Sequence, residues 1–218
     1  MGAPVTRVGH RTAVAALVVV AALVLAGCGS DPYYRGPLGD GERVEATARS
    51  TAAAMLDHLE DADVRAIGGI EEELDGANLK VVVATVAVGD TEISTSITPE
   101  ENGADGPALC GEVAEFCSPG TATDDEGRET PYQVLWQPGV RGGDPGAAGM
   151  VLVRDGARIS VSVSGRFVPA SVDWTRFPVS RTALESILLD EAIGLETLPE
   201  LVEQGEEIDP FRDRAFNL

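Results

Sequence analysis

The sequence predicts an α+β domain: an antiparallel sheet of about five strands, with an N-terminal and a C-terminal helix packed on one face. Three observations carry this. Apolar residues recur at helical spacing early in the folded part. The period then falls to two over several segments joined by short turn signals, and helical spacing with capping residues returns near the end. A length of 218 residues suits one such domain with a real core, and no internal repeat divides it.

The first helix is expected after Asp40, a capping residue, with Glu42 in the first turn. Val44, Ala48, Thr51, Ala52, Met55, Leu56 and Leu59 form its apolar stripe, and Gly68-Gly69 reads as the end of that region. Ile70 to Leu74 reads as a short helical turn. Leu79 to Val88 is apolar on both faces, as a central covered strand would be. Gly89-Asp90 then turns the chain into Glu92 to Thr98, where Ile93, Thr95 and Ile97 alternate with Glu92, Ser94 and Ser96. Pro99 to Pro131 reads as a long loose segment. Tyr132 to Gln137 is a third strand, stopped by Pro138-Gly139. Met150 to Val153 and Ile159 to Ser164 make a hairpin around Arg154-Asp155-Gly156. Beyond a link through Pro169, Trp174 and Pro178, Thr182 with Glu185 fits a capping box opening a helix that buries Leu184, Ile187 and Leu188. Thr197, Pro199 and Glu200 repeat the signal for a short last helix. The organisation expected is a leader over 1–27, a tether over 28–40, one domain over 41–205 and an acidic frayed tail over 206–218.

The leader is the most specific feature. Arg7 and Arg11 precede an unbroken apolar run from Ala13 to Leu25, too short to span a bilayer with ease but suited to a signal peptide. It ends in Leu25-Ala26-Gly27-Cys28, followed by Gly29 and Ser30. This stretch resembles the lipobox of bacterial lipoproteins, and the resemblance covers about the first 30 residues. It implies that diacylglycerol is attached to the Cys28 sulfur and that cleavage leaves Cys28 as the first residue. The chain would then sit on the extracytoplasmic face of the cell membrane. Arg in place of Lys, with abundant Ala and Gly, fits a high-GC bacterial genome such as an actinobacterial one. The polar, Gly- and Pro-rich stretch SDPYYRGPLGDG reads as the tether.

With Cys28 lipidated, Cys110 and Cys117 remain, and an exported chain with one such pair most simply forms one disulfide. Six intervening residues are too many for a redox-active Cys-x-x-Cys motif.

Charge and composition exclude much else. Arg7 and Arg11 lie in the leader, so the part after it holds 14 basic against 36 acidic residues, a net of −22. Such a charge repels phosphate backbones, so nucleic acid is not an expected partner. The mature part has one histidine, His58, and one lysine, Lys80, so a serine nucleophile lacks its usual base. No Gly-x-Ser-x-Gly, Ser-x-x-Lys, Gly-x-x-x-x-Gly-Lys or Gly-x-Gly-x-x-Gly motif occurs. No metal site and no cofactor is expected. His58 stands beside Asp57, Glu60 and Asp61 and reads as a solvated helix residue. The acidic groups Asp57/Glu60/Asp61/Asp63, Glu71-Glu72-Glu73/Asp75 and Asp124-Asp125-Glu126 lack the spacing of a calcium loop and read as solvated charge runs. Trp136 and Trp174 read as core anchors. The rows Ser94/Ser96/Thr98 and Ser160/Ser162/Ser164 read as the wet face of a sheet, with a groove for an extended partner or small polar ligand as the functional option. The expectation is therefore a non-catalytic envelope lipoprotein that binds another protein or a ligand. The alternative is a carboxylate-dependent hydrolase or calcium-binding module acting on cell-wall polymers.

Overall fold

Local capping sets where the first helix begins. Thr47 accepts from the Ser50 backbone N–H through its side chain, and Ser50 Oγ accepts from the Thr47 N–H, so the capping box falls seven residues after Asp40. The computed structural model describes residues 41–74, 79–100, 116–124 and 127–213, all within the unit Pro32–Leu218. In chain order the elements are β1 (Val44–Glu45), α1 (Ala48–Asp57), β2 (Val64–Leu74), β3 (Leu79–Val88), β4 (Thr91–Pro99), β5 (Cys117–Thr123), β6 (Glu129–Pro138), β7 (Gly146–Arg154) and β8 (Ala157–Ser164). They continue with a 3-10 turn at Trp174–Arg176, α2 (Arg181–Leu189), β9 (Glu196–Thr197), α3 (Pro199–Glu206) and β10 (Phe211–Arg212).

The expected five-stranded antiparallel sheet with flanking helices is overturned. The main sheet has eight strands in the order β10-β2-β3-β4-β8-β7-β6-β5, and β1 and β9 form a separate two-stranded sheet. It is mixed, because β10 runs parallel to β2 while the other neighbours are antiparallel. Three differences account for the change. First, Ile70–Leu74 is strand, not helical turn: Glu71, Glu72 and Glu73 pair with Val82, Val81 and Lys80. Cross-strand pairing overrides the weak strand preference of glutamate. Second, the segment expected to be loose contains β5, with Thr121 and Ala122 paired to Pro131 and Thr130. Third, the tail from Glu206 is not uniformly frayed, since Phe211 and Arg212 pair with Ile67 and Gly68. The helix caps move as well. Ser180, not Thr182, caps α2, its Oγ accepting from Ala183 N–H at 3.1 Å. Thr197 lies in β9, and Leu198 precedes α3 without a side-chain cap.

Two meanders, β2-β3-β4 and β5-β6-β7-β8, build the sheet, and they join where β4 pairs with β8 through Ile93↔Val163, Thr95↔Val161 and Ile97↔Ile159. These residues share a face with Val82, Ala84 and Val86 and with Met150 and Leu152. That face meets Met55 and Leu59 at the α1 end, Leu184, Ile187 and Leu188 of α2, and Leu201 of α3 in one continuous buried core. Ala48, Ala52, Ala53 and Ala54 bury α1 on more than one side. Its small side chains let it lie close to the sheet: a Cβ on Gly69 would stand 2.9 Å from the Ala48 Cβ and 2.3 Å from the Val83 carbonyl oxygen. Gly68-Gly69 therefore marks a close crossing of helix over strand, not the end of a helix.

Candidate ligand-binding cavity

The second face of the sheet follows from the same register. Because residues directly opposite one another share a face, Leu135, Gly149, Ser162, Ser94 and Thr85 form one row across β6, β7, β8, β4 and β3. Gln133, Val151, Ser160, Ser96 and Val83 form the next, and Gln137, Ala147, Ser164, Glu92 and Ala87 flank it on the other side. The two serine rows seen in the sequence thus stand side by side on paired strands. Over β6 and β7 the face turns apolar, and Leu135, Val151 and Val153 form a cluster separate from the main core.

A cavity of about 530 Å³ opens on this face. The side chains of Leu135, Gln137, Ala147, Val151, Ser160 and Ser162 line it, with Phe116 at the edge. Phe116 stands edge-on to Trp136, ring centroids 6.3 Å apart, and the Trp136 indole N–H donates to the Ala170 carbonyl at 3.0 Å. Gly149 forms part of the floor: a Cβ there would lie 3.0 Å from the Ser162 Cβ and 2.8 Å from the Val161 carbonyl oxygen. The polar rim carries neutral groups. Ser162 Oγ donates weakly to the Ser94 carbonyl at 3.5 Å, while Thr85 and Ser94 hydroxyls lie 3.1 Å apart. The Ser160 hydroxyl makes no hydrogen bond among the described residues. Glu92 stands at the end of the serine rows, where burial pushes its carboxyl above the usual range against the Ser94 hydroxyl that donates to it. Apolar walls with a few convergent hydroxyls and an amide suit binding and orientation of a small molecule.

The residues singled out in the sequence are distributed differently. Leu25, Ala26, Gly27, Cys28 and Cys110 lie outside the described residues. Cys117 opens β5 on the face shared with Leu135, its Sγ 3.5 Å from Gln133 Oε1. His58 is not solvated: it is buried at the C-terminal end of α1, and its Nε2 lies 2.8 Å from Asp190 Oδ2. Some members of the acidic runs are engaged locally. Asp63 pairs with Arg65, and Asp124 with Arg128. Glu71 accepts from the Ala48 N–H at the start of α1 and pairs with Lys80, which also reaches Glu45. Burial raises the Glu71 carboxyl, but the Lys80 ammonium and the Ala48 N–H outweigh it and hold it below the usual range. Asp75, Asp125 and Glu126 lie outside the described residues. Among the described residues no group of three or more His, Cys, Asp or Glu is placed to hold a metal, and no helix is long and apolar enough to cross a membrane.

Sequence reasoning found the serine rows but missed Leu135, Ala147, Gly149 and Val151 as their apolar continuation. A signal was present. Met150-Val-Leu-Val153 is apolar on both strand faces, whereas the partner strand alternates apolar residues with serine, so one apolar row had to lie opposite the serines. Phe116 had no local signal. Comparison of the chain with protein-family models, with curated proteins and with solved structures finds no match.

Proposed function

We propose that this chain is a lipid-anchored binding module of the bacterial envelope, held by diacylglycerol on Cys28 at the extracytoplasmic face and seating its ligand in the cavity over β6, β7 and β8. The lipobox supports the anchor, and the cavity is the observation that carries the binding role. It is roughly the size of ordinary small-molecule pockets, ~300–1,000 Å³, and combines apolar side chains with neutral hydrogen-bonding groups. A disulfide between Cys110 and Cys117 belongs to the same proposal, as the exported location favours oxidised thiols.

The test has two arms. The full chain should stay with membranes through an alkaline wash, and Cys28→Ser should release it; retention of the variant refutes the anchor. Calcium and cell-wall glycans should leave the unfolding midpoint of the full chain unchanged. A large calcium-induced rise refutes the reading in favour of an ion-dependent module.

A further inference from the structure

We infer that the cavity takes an uncharged amphiphile, an apolar body ending in a hydroxyl or ester group, the chemistry of a neutral lipid. The inference rests on the cavity being the binding site and names what that site selects.

The lining decides the class. Phe116, Leu135, Ala147 and Val151 supply apolar wall, and Gly149 leaves the floor without a side chain where a Cβ would press on Ser162. Among the described residues, none that lines the cavity is ionisable. A carboxylate or phosphate seated there would meet no cation among the described residues, and a charge that gives up water without a partner is disfavoured. The charged groups on neighbouring rows do not help an anion. Glu92 is itself acidic, and Arg158 already holds the Glu100 carboxylate at 2.8 Å and 2.7 Å. Ser160 and Ser162 hydroxyls can each donate and accept, and the Gln137 amide adds two donors and an acceptor at the other side. Hydroxyl and ester groups match that set, while the acidic chain as a whole, with a formal net charge of −20, repels anionic amphiphiles on approach.

The experiment uses membranes bearing the full chain and three photoreactive probes of equal chain length: a diazirine monoacylglycerol, the matching fatty-acid anion and the matching alkylammonium. The neutral probe should label residues of β6, β7 and β8 around the cavity, and unlabelled monoacylglycerol should compete. The anion should label them at least about tenfold less, a difference of roughly 1.4 kcal/mol. Ser160→Ala with Ser162→Ala should weaken neutral labelling about three- to tenfold, the worth of one or two hydrogen bonds. Ser162→Phe, which fills the space, should abolish it, with Ala147→Leu as a second filled variant if the first fails to fold. Equal labelling by the anion, or stronger labelling by the alkylammonium, overturns the ligand class and leaves the binding site standing. Undiminished labelling in folded filled variants, or labelling confined to other residues, overturns the site itself.

Discussion

His58 and Asp190 close the ends of two helices on each other. His58 is the C-cap residue of α1, Asp190 that of α2, and their side chains are 3% and 1% exposed. Asp190 also accepts from the Ala192 N–H at 2.8 Å. Removing one member of such a buried pair leaves the other without its hydrogen-bond partner, a loss of about 1–3 kcal/mol. His58→Leu should therefore lower the urea midpoint sharply with an unchanged slope, and adding Asp190→Asn should restore part of the loss. A drop under about 1 kcal/mol would show that the pair does not hold these ends together. Tyr132 is the second such residue. It is fully buried, donates to Glu185 and accepts from Arg181 at 2.7 Å. Burial, reinforced by the Glu185 carboxylate and only partly opposed by Arg181, pushes its hydroxyl up to about 12. The neutral phenol is thus favoured by folding, so this stabilisation is complete below the ordinary tyrosine value of about 10 and is lost as pH rises through about 12. Tyrosinate absorbance should show one of the three tyrosines ionising only at that upper step, together with unfolding, and Tyr132→Phe should remove the step.

At the scale of elements, α1 and α3 depend on a missing side chain. Gly205 lies in α3, and a Cβ there would stand 2.7 Å from the Arg49 carbonyl carbon and 2.9 Å from the Ser50 nitrogen. Glycine to alanine in a free helix stabilises by up to about 1 kcal/mol. Here the sign should invert: Gly205→Ala forces backbone apart and should cost about 1–3 kcal/mol, read as a lower thermal midpoint. An unchanged or raised midpoint would mean that the two helices do not touch as described. The same contrast explains what the sequence discloses. Strands with a consistent period two, such as Thr91–Pro99 and Ala157–Ser164, are legible because a one-residue slip would turn every isoleucine and valine outward. The stretch Gly68-Gly69-Ile70-Glu-Glu-Glu-Leu74 is not legible, because its strand identity comes from Val81–Val83 and from the helix crossing above Gly69. His58 is illegible for a similar reason: Asp190, the partner that defines it, lies 132 residues away. The cavity was half legible. The serines announced one polar face, but which apolar row continues it depends on the order in which β6, β7, β8 and β4 assemble.

At the scale of the whole molecule, an eight-stranded open sheet has two edges, and each is guarded by a different device. At one, β5 carries Pro119, which has no N–H to offer another strand, and Gly120, packed against the Tyr132 ring. At the other, β2 would expose its backbone along Ile67 and Gly68 if β10 did not pair with it. Further along β2, Glu72 and Glu73 repel an incoming acidic chain of the same kind. The short β10 holds its place through more than two ladder positions. The Arg49 guanidinium lies 4.4 Å from the centre of the Phe211 ring and donates to the Gly205 and Ile208 carbonyls at 3.2 Å and 3.1 Å, so one side chain fastens α1, the end of α3 and β10 together. Ending the chain at Asp209 removes the ring contact and the partial burial of Phe211, a loss of about 2 kcal/mol. The truncated protein should unfold at a lower temperature, and because the uncovered stretch of β2 is short, it should form dimers through that edge rather than open aggregates. Phe211→Ala should reproduce most of the stability loss while keeping the backbone pairing, and should leave the mass by light scattering the same as that of the full chain. If truncation leaves both the midpoint and the mass in solution unchanged, β10 does not guard this edge.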